Sequence, residues 1–369
     1  MSDQPVNVGL IGCGKISGAY FEGCAGYSNL KVTACADLNV DLARDTAAKQ
    51  GLAFGGSVDE LLARDDVDIV INLTIPAVHA EVNRRILAAG KHAYCEKPFA
   101  LSADDTAAVV SEATAAGLRV GSAPDTFLGS GLQTARRVID DGLIGQPVSA
   151  MGFMLCPGHE AWHPSPAFYY QHGGGPMWDM APYYVTALVN LLGPVARVTG
   201  TATKTFAERT IKSQPLAGQQ IPVDVPTHYS TTLEFAGGPV ASLVLSFDVP
   251  KMPELPNIIV FGTEGILKVC DPNRFDDPCF FAPAGTFEFQ PVVNRHATGR
   301  GRGSGVADLA QAIRSGRAHR ASGQLAHHVV EVMEAGDRTA AEGTRIEIAS
   351  SCERPAAVPA DLPANAFEA

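Results

Sequence analysis

Short apolar runs alternate with stretches of helical periodicity over the first 120 residues of the chain. Apolar runs that end in glycine or an acid, with little polar alternation, are typical of strands that helices cover on both faces. The predicted strands are residues 6–11, 31–37, 68–73, 92–95 and 118–121, and predicted helices include 58–63, 77–89 and 104–116. Gly90 and Gly117 stand where left-handed helix caps are expected. The order predicts an α/β domain with a doubly wound parallel sheet.

The hydrophobic period changes after residue 123. Residues 146–156, 196–206, 225–236, 239–248, 257–270 and 279–290 have longer β-type patterns, and residues 180–192, 305–314 and 324–341 have helical ones. This mixture predicts an α+β domain with an open, mostly antiparallel sheet. We therefore predict domains at 1–123 and 124–350. Residues 351–369 are rich in proline and alanine and read as a loose tail or as an arm along a partner subunit.

Composition narrows the class of protein. The chain has 369 residues, of which 46% are hydrophobic and 18% charged, so it holds enough apolar mass for two folded domains. Its formal net charge of −11 repels phosphate backbones and speaks against nucleic acid as a partner. One basic segment, RHATGRGR at 295–302, lacks interleaved aromatic residues. We interpret it as a mobile loop near a small ligand rather than as an RNA-binding segment.

Targeting signals are not evident in the sequence. The first residues show no cationic region before the apolar run, and no run of 18 apolar residues follows. Eight cysteines occur without a C-x-x-C pair, mostly in apolar runs, which indicates buried thiols in a reducing compartment. We therefore expect a cytoplasmic protein with no membrane partner and no disulfides.

A glycine-rich turn follows the first predicted strand. Gly12 and Gly14 belong to a G-x-G-x-x-[S/G] pattern that opens a helix, with Lys15 and Ile16 inside the turn. Such glycines let the backbone approach a pyrophosphate at a helix N-terminus, as in a Rossmann-like domain. Asp37 ends the second strand, where its carboxylate can accept ribose hydroxyls and would repel a 2′-phosphate. The pattern predicts NAD as cofactor. In the alternative, the glycines serve packing and Asp37 caps the next helix.

Two further turns follow strands at the same edge of the predicted sheet. Thr74, Pro76 and His79 come after strand 68–73, and Glu96 and Lys97 come after strand 92–95. Ligands of open α/β sheets bind beyond the carboxyl ends of the strands, so these residues are candidates for cofactor contact. His79 can equally be a first-turn surface histidine. Lys97 can be a cation that faces the ligand crevice or a surface lysine paired with Glu96.

The second domain offers candidate substrate contacts. Residues 159–163 read His-Glu-Ala-Trp-His, which matches the H-E-x-x-H pattern of zinc peptidases. That zinc site requires a helix, and the prolines on both sides of the segment disfavour one. We predict instead that His159, Trp162, His163 and Trp178 contact a sugar or polyol through ring faces and hydrogen bonds, or that they fill the domain junction. Asp125 is a further candidate for substrate hydroxyls. No metal is expected.

The sequence resembles the Gfo/Idh/MocA oxidoreductases in four motifs, which occur in the order GLIGCGKISG, CAD, LTIPAVHAE and CEKP. The resemblance includes residues 173–183, GGGPMWDMAPY, which look like the family's glycine-rich turn into a helix. It implies that Lys97 lies near the substrate hydroxyl and that an Asp-x-x-x-His pair lies on the helix. Here the pair reads Asp179-x-x-x-Tyr183, with tyrosine in place of the usual histidine. Spacing i, i+4 puts both side chains on one helix face.

These residues together predict an NAD-dependent dehydrogenase for a secondary hydroxyl of a sugar-like substrate. Lys97 would stabilise the alkoxide, Tyr183 would move the proton, and Asp179 would orient the substrate or Lys97, in a crevice between the domains. If Tyr183 and Asp179 serve only packing and capping, this assignment fails. The alternatives are a glycosidase or isomerase that works through transient oxidation by NAD, and a non-catalytic NAD sensor. The open sheet of the second domain favours a homo-oligomer, a dimer or tetramer.

Overall fold

The computed structural model describes residues 4–286 and 288–368, which divide into two compact units. The first unit contains the chain up to Gln133, residues Asn294–His327 and the segment from Pro355 onward. The second contains Thr134–Val293 and His328–Arg354. These limits differ from the predicted domains 1–123 and 124–350, because the chain returns to the first unit twice.

The helices occur in both units. Along the chain they are α1 (Ser17–Ala25), α2 (Val40–Gln50), α3 (Val58–Leu62), α4 (His79–Ala88), α5 (Ala103–Ala115), α6 (Ser130–Asp140), α7 (Gly175–Leu192), α8 (Ser304–Ser315) and α9 (Gly323–Glu342). Gly90 and Gly117 have φ of +73° and +66°, as predicted for the caps after α4 and α5. Within the described ranges, no helix combines the length and the apolar character that a bilayer crossing requires.

The sheet of the first unit is parallel and has the order β3-β2-β1-β4-β5-β6. Its strands are β1 (Val6–Ile11), β2 (Leu30–Ala36), β3 (Phe54–Gly56), β4 (Ile69–Asn72), β5 (His92–Cys95) and β6 (Val120–Ser122). Leu10, Val70 and Ile71 are fully buried, as expected for strands covered on both faces. This confirms the predicted doubly wound sheet. Strand β3 was not predicted, because Phe54-Gly-Gly is too short and glycine-rich to show a strand pattern.

Helix α8 is held in the first unit by a buried carboxylate. Asp125, which is fully buried, accepts hydrogen bonds from the backbone N–H groups of Gly303 (3.0 Å) and Gly305 (3.1 Å) at the start of α8. Its other oxygen lies 3.7 Å from the Arg302 guanidinium. Burial raises the pKa of Asp125, although Arg302 and the Gly305 N–H oppose the shift. The prediction that Asp125 binds substrate hydroxyls is therefore wrong: its carboxylate caps a helix.

The last residues and the basic segment pack against the first unit. Phe367 is 2% exposed, stacks on Tyr27 and lies under the Arg300 guanidinium. Arg300 also donates hydrogen bonds to the carbonyls of Leu128, Ala364 and Ala366. Arg300 thus binds residues near the chain's end to the core of the unit, unlike the mobile loop expected at 295–302 and the loose tail expected at 351–369, while an arm along a partner subunit stays a prediction.

The second unit contains a large, mostly antiparallel sheet in the order β16-β15-β14-β13-β7-β12-β11-β8-β17, in which only β7 and β12 pair in parallel among the described strands. Its strands are β7 (Pro147–Leu155), β8 (Val195–Thr203), β11 (His228–Phe235), β12 (Val240–Ser246), β13 (Ile258–Gly262), β14 (Gly265–Val269), β15 (Phe280–Pro283), β16 (Gln290–Pro291) and β17 (Ile346–Glu347). A separate ladder joins β9 (Glu208–Thr210) and β10 (Gln220–Pro222). The predicted α+β class is confirmed.

Helix α7 packs against β7, β11 and β12 on one face of this sheet. Most of its residues are buried, and Ala181, Ala187 and Leu188 are fully so, as expected for a helix that is apolar around its circumference. The helix begins at Gly175, with Pro176 in its first turn, rather than at residue 180 as predicted. Asp179 and Tyr183 therefore both lie within α7, one helical turn apart.

We expect Asp125→Ala to lower the free energy of unfolding by about 3 kcal/mol, because two N–H groups and the Arg302 guanidinium would lose a buried acceptor. Asp41→Ala removes a carboxylate that pairs with Arg44 on the surface and is the control, with an expected loss below about 1 kcal/mol. Urea unfolding monitored by circular dichroism gives the free energy of unfolding of both variants. Equal losses in the two variants would contradict the capping role of Asp125.

Candidate functional site

The glycine turn connects β1 to α1. Gly12 has φ of +101°, and a Cβ atom built there would lie 2.6 Å from the carbonyl oxygen of Leu73, so only glycine fits. A Cβ on Gly14 would meet no atom within 4 Å. Gly14, Lys15 and Ile16 are exposed, which leaves the backbone of the turn open to a ligand before the N-terminus of α1.

Asp37 binds this turn to the end of β2. Its Oδ2 accepts a hydrogen bond from the backbone N–H of Cys13 (2.8 Å), and its Oδ1 accepts one from Asn39 (2.9 Å). The cap of α2 is Asn39, whose side chain accepts from Leu42, so Asp37 is not the helix cap. A carboxylate has about four acceptor positions, so Asp37 retains capacity for a ligand hydroxyl.

The turn after β4 is organised by a buried amide. Asn72 is fully buried, accepts from the backbone N–H and the hydroxyl of Thr74, and donates to the carbonyl of His79. Thr74 and Pro76 are partly exposed beside it. His79 is 1% exposed, and its ring nitrogens lie 2.6 Å from the Pro98 carbonyl and 2.9 Å from the Thr74 carbonyl.

This geometry gives His79, a predicted cofactor contact, a structural role inside the first unit. Both ring nitrogens face backbone carbonyls, and one of these carbonyls accepts the N–H of the neutral imidazole, so the ring joins the Thr74 turn to the segment after Lys97. Burial lowers the pKa of His79, although the two backbone hydrogen bonds oppose the shift. His79 is therefore a positioning residue inside the protein and not a surface histidine.

A second buried carboxylate fixes the turn after β5. Glu96, which is 7% exposed, accepts a hydrogen bond from the Tyr20 hydroxyl (2.9 Å) and another from the backbone N–H of Lys97 (2.8 Å). The carboxylate of Glu96 therefore holds α1 and the turn after β5 together, and its predicted contact with a cofactor stays a prediction. Lys97 itself is half-buried, and its backbone position is set by Glu96.

These turns lie at one edge of the first unit's sheet, because parallel strands end on the same side. β1, β2, β4 and β5 are neighbours in the strand order, which reverses between β1 and β4. Ligands of open parallel sheets bind at such a reversal point. The structure thus brings the glycine turn, Asp37, Thr74 and Lys97 together at the edge where a dinucleotide binds in this class of fold.

The second unit has its own cluster of polar and aromatic groups around α7. Nε2 of His159 lies 3.8 Å from Oδ2 of Asp179, and Tyr183, one turn further along α7, is 5% exposed. The His159 ring contacts the rings of Trp162, Tyr169 and Phe247. Among the predicted substrate residues, the structure thus brings together His159 and Trp162, with His163 packed against the Trp162 ring.

Trp178 does not belong to this cluster. It is 8% exposed, and its indole Nε1 donates a hydrogen bond to Asp337 (2.7 Å), which also accepts from the Tyr229 hydroxyl. The polar atom and most of the surface of Trp178, a predicted substrate contact, are thus used inside the second unit. Trp162, in contrast, is 56% exposed.

Residues 159–163 form turns, not the helix that a zinc peptidase motif needs, as predicted. Glu160 is bound by the Arg209 guanidinium (2.8 Å) and by the Tyr170 hydroxyl (2.5 Å). In the described part of the chain, no group of three or more His, Cys, Asp or Glu side chains is arranged to hold a metal ion. The eight cysteines, all within the described ranges, are free thiols.

Sequence reasoning missed Asn72, Tyr20 and Arg209. Asn72 and Tyr20 support the turns of the first unit, and Arg209 supports the loop that carries His159. A polar residue that ends an otherwise apolar strand, as Asn72 does, is a signal that could have been used. Arg209 gives no local signal, because its partners lie about 40 and 50 residues away in the sequence.

Comparison with known proteins gives matches over both units. A family model described as "Oxidoreductase family, NAD-binding Rossmann fold" matches residues 6–123, and one described as "GFO/IDH/MocA C-terminal domain" matches residues 132–268. An inositol 2-dehydrogenase of Klebsiella pneumoniae is 31% identical over 149 residues, which are 39% of this chain and 44% of that protein. The chain thus aligns with less than half the length of that curated relative.

Two further comparisons cover more of the chain. A levoglucosan dehydrogenase of Pseudarthrobacter phenanthrenivorans is 26% identical over 288 residues, 71% of this chain and 73% of that protein. A solved structure of levoglucosan dehydrogenase in complex with NADH and L-sorbose superposes with a TM-score of 0.80 at 23% identity, over 94% of this chain and 99% of that one. At this identity the structural likeness establishes the fold.

We expect Gly12→Ala to lower the free energy of unfolding by about 2 kcal/mol or more, because the new Cβ would meet backbone atoms at a φ that alanine avoids. Gly14→Ala is the matched control, with an expected change below about 1 kcal/mol, since open space surrounds that position. Thermal unfolding measured without cofactor compares the two. A similar loss in both variants would mean that the turn does not depend on Gly12.

Proposed function

Since the chain belongs to the Gfo/Idh/MocA family of oxidoreductases, we propose that it is an NAD-dependent dehydrogenase that acts on a secondary hydroxyl of a sugar, polyol or sugar derivative. The observation that carries the proposal is the arrangement at the carboxyl edge of the first unit's sheet. There a glycine turn held by Asp37 follows β1, and the turn that carries Lys97 follows β5, on the other side of β4.

The first unit fits NAD in shape and charge. Gly12 admits no Cβ, and Gly14 faces open space that a side chain would fill, as a turn that receives a pyrophosphate requires. Asp37 follows β2 with acceptor capacity for ribose hydroxyls, and its negative charge would repel the 2′-phosphate of NADP. When bound, nicotinamide would supply the hydride acceptor or donor of the reaction.

The chain's own residues would handle the charge and the proton. The Lys97 ammonium donates a hydrogen bond to the substrate oxygen and stabilises the negative charge that develops there as the hydride leaves. The Tyr183 hydroxyl holds the proton that leaves or joins this oxygen, and Asp179, one turn earlier on α7, orients the hydroxyl that reacts. Lys15, Ile16, Thr74 and Pro76 line the cofactor edge in this proposal.

Neutral polyhydroxy substrates suit the second unit. Trp162 offers an exposed indole face, and His159 and His163 contact its ring, a combination that binds the apolar face of a sugar ring. The Asp179 carboxylate would repel an anionic substrate. The levoglucosan dehydrogenase that matches 71% of this chain and the inositol 2-dehydrogenase that matches 39% of it support this substrate class.

Self-association is part of the proposal. The face of the large sheet opposite α7 carries Met151, Val240, Ile259 and Phe261 in partly or fully exposed positions on neighbouring strands. Such an apolar surface in a homo-oligomer would be covered by a second copy of the chain.

We expect Lys97→Ala to reduce kcat about 10²- to 10³-fold while NAD affinity stays nearly constant, because the lysine acts on the charge of the transition state. The backbone bond from residue 97 to Glu96 survives this substitution. Lys31→Ala, at an exposed position at the other end of the sheet, is the control and should leave kcat unchanged. Absorbance at 340 nm with a panel of polyols and aldoses gives kcat, and NADH fluorescence gives affinity. Equal turnover in Lys97→Ala and the unmodified enzyme would end this assignment.

Asp37→Ala should narrow the preference for NAD over NADP about tenfold or more, since the carboxylate that accepts ribose hydroxyls and repels a 2′-phosphate is gone. Because Asp37 also binds the Cys13 N–H, the informative quantity is the ratio of kcat/KM for the two cofactors rather than either value. Asp41→Ala, an exposed acid in the first turn of α2, should keep the original ratio. A ratio that Asp37→Ala leaves unchanged would remove Asp37 from the ribose.

A further inference from the structure

The loop before α7 places an imidazole beside the acid of the proposed site. Nε2 of His159 is 3.8 Å from Oδ2 of Asp179, and the two side chains are 10% and 18% exposed. This is ion-pair distance, and hydrogen bonds of catalytic groups commonly shorten from such values when substrate is bound. His159 comes from residues 157–166, which α7 does not contain, so two separate elements of the second unit form the pair.

Aromatic rings fix the plane of the imidazole. The His159 ring centroid is 4.0 Å from that of Tyr169, 4.5 Å from that of Phe247 and 5.4 Å from that of Trp162. Phe247 and Trp162 meet it edge to face. A ring held on three sides has little rotational freedom, so its direction toward Asp179 is set before substrate arrives.

A buried ionic network fixes the backbone of the same loop. The Tyr170 hydroxyl accepts a hydrogen bond from the His159 N–H (3.1 Å) and donates one to Glu160 (2.5 Å). Arg209 donates to Glu160 (2.8 Å), to the Pro157 carbonyl (3.1 Å) and to the Phe247 carbonyl (2.9 Å). The Arg209 guanidinium thus binds the loop on both sides of His159. It also binds the backbone of Phe247, whose ring packs against the His159 ring.

We propose that His159, paired with Asp179, is the proton acceptor of the dehydrogenation. The proposal rests on the proposed function and identifies which side chain finally takes the proton. During oxidation the C–H bond of the carbinol would break with its electron pair, and bound NAD would supply the acceptor for that hydride. The O–H proton goes to the imidazole directly or through the Tyr183 hydroxyl, and a carbonyl, NADH and an imidazolium remain. Asp179 stabilises that imidazolium, and reduction runs the same steps backward.

The chemistry of the surrounding groups favours the imidazole. An imidazole has an ordinary pKa of about 6.5 and a phenol one of about 10, and a general base works best near the operating pH. Burial raises the pKa of Cys156 to about 11, and burial together with Glu160 raises that of Tyr170, so neither gives up its proton near neutrality. The titratable or charged groups around the pair are Cys156 after β7, Glu160 and His163 of the loop, Tyr169, Tyr170, Arg209 on β9 and Asp248 after β12.

A deletion with chemical rescue tests the proposal. His159→Ala should lower kcat for polyol oxidation about 10²-fold, keep the NADH affinity, and regain turnover when free imidazole is added. In the unmodified enzyme, kcat/KM should decrease toward acid pH because the base becomes protonated. In His159→Ala without imidazole, this decrease should be absent. His228→Asn, a histidine on β11 outside the proposed site, is the control and should keep both the rate and the pH profile. If His159 had only a structural role, imidazole would not restore the turnover of His159→Ala, and the pH profile of kcat/KM would keep its shape.

A second measurement needs no turnover. The ¹⁵N chemical shift of the His159 ring should change in Asp179→Asn, while that of the His228 ring should not. An unchanged His159 shift would overturn the pairing. If His159→Ala fails to fold, His159→Gln takes its place in the kinetic test.

The outcomes separate this inference from the proposed function. If the unmodified protein oxidises polyols and His159→Ala matches it, or shows no response to imidazole, the inference is overturned and the dehydrogenase assignment stands. If the unmodified protein produces no NADH with any polyol, aldose or glycoside, the proposed function itself has failed and the inference fails with it.

Discussion

The turns at the carboxyl edge of the parallel sheet depend on side chains that accept backbone N–H groups. Asp37 follows β2 and binds the N–H of Cys13, Asn72 ends β4 and binds that of Thr74, and Glu96 follows β5 and binds that of Lys97. Backbone N–H groups removed from water need such partners, because leaving one unpaired costs about 1–3 kcal/mol. Each acceptor therefore sets the course of a turn, and through it the position of the groups proposed to meet the cofactor.

The same requirement divides these polar residues into two classes that the sequence does not distinguish. Asp37 stands in a partly exposed position, whereas Glu96 and His79 are buried and bound to groups inside the first unit. All three occur in the motifs that pointed to cofactor binding. Motif spacing reports that a residue is needed at a strand end, but whether it touches the ligand or holds the turn depends on burial, which only the fold determines.

Much of the fold followed from hydrophobic periodicity, because strands covered on both faces have a distinct pattern. The parallel sheet, the predicted caps at Gly90 and Gly117, and the change to an antiparallel sheet after residue 123 were predicted correctly. The contacts of Asp125, Trp178 and the last residues were not, since their partners are distant in sequence: Gly303 and Gly305, Asp337, and Tyr27. Periodicity describes what one segment does locally, and these roles belong to contacts across 150 to 340 positions.

The first unit is assembled from three stretches of chain with the second unit's sheet inserted between them. Helix α8, which Asp125 caps, and Phe367, which stacks on Tyr27, are both translated after the strands β7 to β16. A ribosome therefore releases the parallel sheet long before the pieces that complete its hydrophobic interior, and the nascent nucleotide-binding half must wait with part of its apolar surface uncovered. Residues 1–133 therefore obtain their complete interior only when the two later stretches of the chain join them.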